Sequence, residues 1–312
     1  MRLDIGVADT VAEGRPQEDV RKLSAGSKIL LGAFIALTAA ASILLFILSA
    51  DTDRLWAWTI QPPLTAAFLG AGYGAGLVLV ALALRDTVWA NARIPMITVL
   101  IFTILTLVAT LLHLDRFHFH VAHSEMARIA AWIWLAVYVV VPVALAVAVL
   151  RQSRMPGVDQ RPGQPMPRWL SGLLAVQAVI MLAVGAVLYI NPKSKANIWP
   201  WALTPLTSRM VAAWLVAFGF AAILAVWERD LSRLRIDSIG YVVFGMLQLV
   251  ALIRYGEQVR WGTPAAILYL IVLPTIPLVG AAGWLMSVHG RPKEYPGTAV
   301  APREHRQLDG LR

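Results

Sequence analysis

The chain has 312 residues, 58% of them apolar and only 14% charged, with a mean hydropathy of +0.67. A soluble domain carries about a quarter charged residues, so the composition excludes an ordinary water-facing surface and points to lipid. There is no cysteine, which excludes disulfides, thiolate metal sites, iron–sulfur clusters and cysteine nucleophiles.

Residues 1–27 are polar, with Asp4, Asp9, Glu13, Glu18 and Asp19 among basic side chains. A secretory signal has a short basic start followed at once by an apolar run. This tail does not, so the first helix is read as a retained anchor. Apolar blocks follow at 29–50, 64–84, 96–112, 129–150, 169–190, 211–227, 239–253 and 265–288. A hydrocarbon core of about 30 Å needs roughly 17–25 such residues per helix. The third and seventh blocks are short and must draw on their flanks. The expected fold is all-α and polytopic, with eight transmembrane helices.

The second helix opens on Gln61-Pro62-Pro63 and runs through Gly70, Gly72, Gly74 and Gly76. Proline is tolerated in a first turn, where its missing N–H costs nothing. The glycines form overlapping GxxxG pairs, which let another backbone approach closely. A phosphate loop would need a strand before them, and none is present.

On the third helix Thr103, Thr106 and Thr110 fall on one face. The loop after it reads His113-Leu-Asp115-Arg116-Phe-His118-Phe-His120-Val-Ala-His123-Ser-Glu125 and holds most of the 6 histidines. Imidazole binds zinc, copper, iron or nickel, and three histidines with an open fourth position would make a zinc site. His118, His120 and His123 are the expected ligands, with His113 or Asp115 completing or orienting the shell. The other reading is an interfacial connector, because no HExxH or paired-motif spacing is present.

Residues 93–109, RIPMITVLIFTILTLVA, recur without a gap as 235–251, RIDSIGYVVFGMLQLVA, at an offset of 142. Trp56-Ala-Trp58-Thr-Ile-Gln-Pro62 likewise matches Trp199-Pro-Trp201-Ala-Leu-Thr-Pro205. Tyr138-Val-Val-Val-Pro142 resembles Tyr269-Leu-Ile-Val-Leu-Pro274 at a shorter offset, so the first copy carries about ten extra residues, the histidine loop. The chain reads as one unit written twice. An even helix number per copy makes the repeats parallel, related by an axis along the membrane normal. The boundaries are a tail at 1–27, repeat one at 28–151, a Pro/Gly-rich linker at 152–168, repeat two at 169–288 and a tail at 289–312.

The seventh helix places Ser238, Tyr241, Gly245 and Gln248 on one face, so Thr106 corresponds to Gln248. Thr103, Thr106, Gln248, Tyr138 and Tyr269 are the expected lining of a polar pocket between the repeats. The alternative is interhelical hydrogen bonding, worth about 0.6 kcal/mol per bond. No carboxylate pair or nucleophile elbow lies in a span, so an intramembrane enzyme is not indicated.

Of the 27 Lys and Arg residues, more than twice as many fall on the side of both termini as on the other. By the positive-inside rule both termini are cytoplasmic, in a bacterial inner membrane. This distribution also accounts for the net charge of +9 and a pI near 10.2 without a nucleic-acid partner. The run Trp58-Thr-Ile-Gln-Pro62-Pro63-Leu-Thr-Ala-Ala-Phe-Leu-Gly70-Ala-Gly72-Tyr73, with Leu-His113-Leu-Asp115-Arg116-Phe-His118-Phe, resembles a group of bacterial multi-spanning membrane proteins with no assigned activity. The resemblance implies a class and no mechanism. Three functions stand as expectations: passage of a small solute or lipid-like molecule between the repeats, a metal-binding sensor or redox partner built on the histidine loop, and a non-catalytic envelope or complex subunit.

The topology is open to a direct test. Reporter fusions at Gln160 and Arg312 are expected to read cytoplasmic, and a single cysteine at Ala122 to label from outside intact cells. An outside signal from either fusion inverts the assignment.

Overall fold

The computed structural model describes residues 19–160, 162–193 and 198–289. Among them are nine α-helices: α1 (Ala25–Ser42), α2 (Thr52–Leu55), α3 (Pro63–Asp86), α4 (Trp89–Leu111), α5 (Glu125–Ser153), α6 (Arg168–Ile190), α7 (Pro205–Glu228), α8 (Arg235–Tyr255) and α9 (Pro264–His289). All except the four-residue α2 are long and apolar enough to cross a bilayer, α1 with the π-helical turn Ile43–Ile47 that continues it. No strand forms among the described residues, only isolated bridges.

Helix starts follow from local chemistry. α3 and α7 begin on Pro63 and Pro205, whose fixed φ suits a first turn. Ser24 and Ser124 cap α1 and α5, each hydroxyl accepting a backbone N–H three residues on at 3.1 Å. The third apolar block draws on its upstream flank: α4 starts at Trp89 and takes Arg93 and Pro95 into the helix. Prolines also lie inside α5 and α9, which membrane helices tolerate when neighbours satisfy the freed carbonyls.

Packing arranges the eight long helices in a closed order that differs from chain order. α1 packs on α3, α3 on α8, α8 on α9, α6 on α7, α7 on α4, and α4 on α5. Two joins, α1 with α5 and α6 with α9, are slight. α3 and α7 are the most buried spans, 72% and 61% of their central residues, whereas α1 has 22%. The outer helices turn Ile29, Ile133, Val140, Val143 and Ile190 outward, and exposed Trp132, Trp169, Trp227 and Trp261 sit at or near helix ends. Such aromatic girdles mark the level of lipid headgroups.

The glycines of α3 allow its close contacts. A Cβ at Gly70 would meet the Phe46 backbone and lie 2.7 Å from Leu45 C, and one at Gly72 would lie 2.6 Å from the Trp214 ring. Gly76 faces only Thr38 Cγ2 at 3.9 Å.

The turns after α3 and α7 share an unusual feature. Thr87 and Arg229 are the two non-glycine residues with positive φ among the described residues, at 60° and 51°. Each ends its helix with its own N–H bonded to a carbonyl four residues back, Ala83 O or Ala225 O. Few non-glycine residues adopt this conformation.

On the face carrying these turns, the 152–168 connector is more than a spacer. Gln152 is fully buried and Met166 nearly so. Asp159 pairs with Arg93 at 2.8 Å, Arg93 also pairs with Glu228, and Arg233 pairs with Glu228 at 2.8 Å and Asp230 at 3.4 Å. The Asp230 carboxylate accepts the backbone N–H groups of Gly163 and Gln164, both at 3.1 Å. Composition hid this because the linker is held by polar bonds and not by apolar periodicity.

Gly70→Ala is expected to lower thermal stability in detergent by about 1–3 kcal/mol, the usual cost of overpacking. Gly76→Ala, one and a half turns along the same helix, is expected to be neutral. Equal melting temperatures for the two variants would contradict the assigned contact between α1 and α3.

Candidate functional site

The slight join between α1 and α5 encloses a cavity of about 230 Å³. Its wall is almost wholly apolar and aromatic, with Phe34, Leu44, Phe102, Ile133, Trp134 and Trp214 contributing. Tyr73 and Tyr138 add the hydroxyls, 2.5 Å apart. Thr38 and Thr103 also line it, but each hydroxyl is turned back to its own helix, donating to Phe34 O at 2.6 Å and Leu100 O at 3.0 Å.

Polar bonds hold both ends of the join. At the linker end the Gln152 Oε1 accepts from Ser24 N at 2.9 Å and Ser27 Oγ at 3.3 Å, while its Nε2 donates to Lys22 O at 2.9 Å. At the other end Ser124 Oγ donates to Arg54 O at 2.5 Å. Below it Trp134 packs edge-on against Trp56 and Trp58, with centroids 5.5 and 4.8 Å apart, and its Nε1 donates to Thr110 Oγ1 at 3.0 Å. The cavity opens on the side lined by exposed Ala40, Ile129 and Ile133, nearer the Ser124 end of the join and beside Trp132.

The join between α6 and α9 holds a second, smaller cavity of about 60 Å³, lined by Phe68, Trp199, Phe244, Gln248 and Tyr269 among others. Here Tyr269 OH donates to Gln248 Oε1 at 3.2 Å and Gln248 Nε2 donates to Phe68 O at 3.0 Å. A third cavity of about 70 Å³ lies nearer the linker face, beside Tyr241, whose hydroxyl donates to Gln177 Oε1 at 3.0 Å.

Aromatic rings occupy the contact between the two halves of the chain. Phe102 stacks on Trp214 at 3.9 Å, Tyr73 meets Trp214 edge-on at 5.4 Å, and Phe68 and Phe218 pack on Phe244 at 5.9 and 4.5 Å. Of the five residues expected to line one shared pocket, Gln248 and Tyr269 line the smaller cavity together, and Thr103 and Tyr138 line the larger one. Tyr138 lies in the other half against Tyr73, and Thr103 bonds within its own helix. Thr106 is fully buried with no partner for its hydroxyl. Tyr73 sits within the glycine run of α3, whose spacing signals packing and gives no sign of its hydroxyl contact with Tyr138.

His113, His118, His120 and His123 are not drawn into one cluster. No group of three or more His, Asp or Glu side chains able to hold a metal ion occurs among the described residues. His118 is buried with both ring nitrogens engaged: Nδ1 donates to Trp56 O at 2.9 Å, and Nε2 accepts from Thr59 Oγ1 at 3.0 Å. His123 stacks on its ring at 4.0 Å, while His120 is exposed. His113 bonds Ala109 O and the Arg209 guanidinium, both at 3.1 Å, and Asp115 pairs with Arg116 at 3.0 Å. The imidazole of His118 thus pins the loop to the Trp56–Thr59 segment, a role that a count of histidines could not reveal.

No family model matches the chain, nor does any curated protein or solved structure.

Burial lowers the His118 pKa from its ordinary 6.5, with the neighbouring His123 acting in the same direction and the Trp56 carbonyl opposing. The folded state then favours the neutral ring while the unfolded chain takes up a proton near pH 6.5. Stability from this group is present above that pH and is lost as pH falls through the lower folded-state value. Melting curves between pH 8 and 5 are expected to show a steeper loss for the wild type than for His118→Asn. Parallel curves would remove His118 from the pH dependence.

Proposed function

We propose that this integral membrane protein binds a lipid-like molecule drawn laterally from the bilayer into the cavity between α1 and α5. The observation that carries the reading is the cavity of about 230 Å³ with an apolar wall, in a join bonded at both ends and open toward its surroundings past exposed Ala40, Ile129 and Ile133. Apolar pockets with a few placed polar groups are the usual form of small-molecule sites. A water-soluble solute gains little here, because its polar groups would lose hydration and find few partners. The aromatic filling between the halves favours this lateral site over a path along the central axis. Movement of the bound molecule across the membrane, if it follows, would begin from this seat.

We also infer the duplication, with repeats at 28–151 and 169–288 in parallel orientation. Three observations support it. The packing order maps onto itself when α1, α3, α4 and α5 are exchanged for α6, α7, α8 and α9. Thr87 and Arg229, the left-handed helix ends, stand 142 apart, which is the offset of the repeated segments. The two lateral cavities fall at the exchanged joins, α1 with α5 and α6 with α9. On this reading both termini and the 152–168 linker are cytoplasmic, as the basic residues require.

Saturable binding of an apolar fluorescent probe, such as a polyene fatty acid, is expected for the purified protein at about one site per chain. Ala130→Phe, which places a ring in the cavity, is expected to remove the saturable component. Val140→Phe, on an exposed part of the same helix, should retain it. Saturable binding that survives Ala130→Phe would overturn the assignment.

A further inference from the structure

We infer that the α1–α5 cavity takes a quinone-type ligand, a planar ring bearing carbonyl acceptors on an apolar, isoprenoid-like tail. This rests on the reading of the cavity as a lateral lipid-like site and names the chemistry that it selects.

The argument starts from a hydrogen that has nowhere to go. Tyr73 and Tyr138 are both buried and line the cavity, and their hydroxyls share one bond of 2.5 Å. Two phenols carry two hydroxyl hydrogens, and one O–H···O bond uses one of them. Neither oxygen has another partner among the described residues. The pair therefore presents a spare donor in a cavity whose other hydroxyls, Thr38 and Thr103, are turned to their own helices. A ligand completes the site by bringing an acceptor.

Depth narrows the acceptor. Tyr73 and Tyr138 lie near the middle of α3 and α5, with Tyr138 about 9 Å deeper along α5 than Trp132, which marks the headgroup level. Phospholipid ester carbonyls are tethered to that level by their headgroups. A carbonyl that reaches mid-depth belongs to a molecule with no charged head, and quinone carbonyls meet that condition. The walls suit the ring: Phe102, Trp134 and Trp214 offer faces and edges for offset or T-shaped contact. The opening past exposed Ala40, Ile129 and Ile133 lets the apolar tail leave the cavity against lipid on the Trp132 side.

The second half of the chain provides an internal contrast. At the matching join Tyr269 spends its hydrogen on Gln248, and the cavity is about 60 Å³ against about 230 Å³. Under the repeat offset Gln248 corresponds to Thr106, which makes no bond to Tyr138. One half has closed its tyrosine with an internal partner; the other has kept a donor and the room to use it. One ligand per chain is expected.

The test is competition against the apolar probe on detergent-purified full-length protein. The competitors are a decyl-tailed benzoquinone and a decyl-tailed benzene ring without oxygens. The quinone is expected to compete about five- to tenfold more strongly in the wild type, the worth of one net hydrogen bond. The double variant Tyr73→Phe/Tyr138→Phe is expected to bring that ratio to about one while still binding the oxygen-free ring. Tyr138→Phe alone leaves the Tyr73 hydroxyl free to donate and should keep the preference. Equal competition in the wild type would overturn the quinone inference and leave the apolar site standing. A preference that survives the double variant, or is lost in Tyr138→Phe alone, would also overturn it. If the wild type shows no saturable probe binding, the cavity reading itself falls.

Discussion

Helices in a bilayer gain no hydrophobic drive from meeting one another, because lipid tails are as apolar as leucine. Association depends on close approach, and in this chain α3 supplies it. Its glycines bring the backbone of α1 against Gly70 and the Trp214 ring against Gly72. With α3 drawn to α1 on one side and α8 on another, the central volume is small and aromatic rings fill it. The outer helices are then held by only part of their length, which is why the joins between α1 and α5 and between α6 and α9 are slight. The cavities are a consequence of that central economy of space.

Sealing a slight join needs bonds that survive next to lipid. At the linker end Gln152 uses both ends of its amide on the chain entering α1, and at the other end three tryptophans and a serine do the work. A buried glutamine without those partners would be costly, so its complete satisfaction is what makes the arrangement stable. The Arg93, Asp159, Glu228, Arg233 and Asp230 network joins the linker to α4, α7 and α8 on the same face. Charges are tolerated there because the span ends are close to water. Polar bonding at the ends and apolar lining between them together leave the opening past Ala40, Ile129 and Ile133.

The two halves resemble each other in packing and differ in how they treat one tyrosine. Tyr269 is closed off by Gln248, itself anchored to Phe68 O across the halves. Tyr138 meets Tyr73 instead, in a larger space. The close contacts that hold the bundle, at Gly70 and Gly72, lie elsewhere, so the two halves can differ at this pair of positions. The histidine loop after α4 is a second difference between the halves. His118 bonds the Trp56–Thr59 segment through both ring nitrogens and secures the end of the first half, where the shorter turn at 256–263 of the second half carries no histidine.

The amino-acid sequence by itself determined the class and the number of spans. Hydrocarbon thickness imposes a length and a composition on each crossing, and these can be counted along the chain. Helix starts at Pro63 and Pro205 and the short third span drawing on its flank were legible for the same local reason. Which polar groups meet was decided only by tertiary structure. Tyr73 and Tyr138 are 65 residues apart, and Gln152 and Ser24 are 128 apart. The clustered histidines, adjacent in sequence, point to different partners once folded. Periodicity reports the face of a helix, but the partner of that face depends on an order of packing in which α3 lies beside α8 and α4 beside α7. That order is set by where backbones can approach, a property of two surfaces at once.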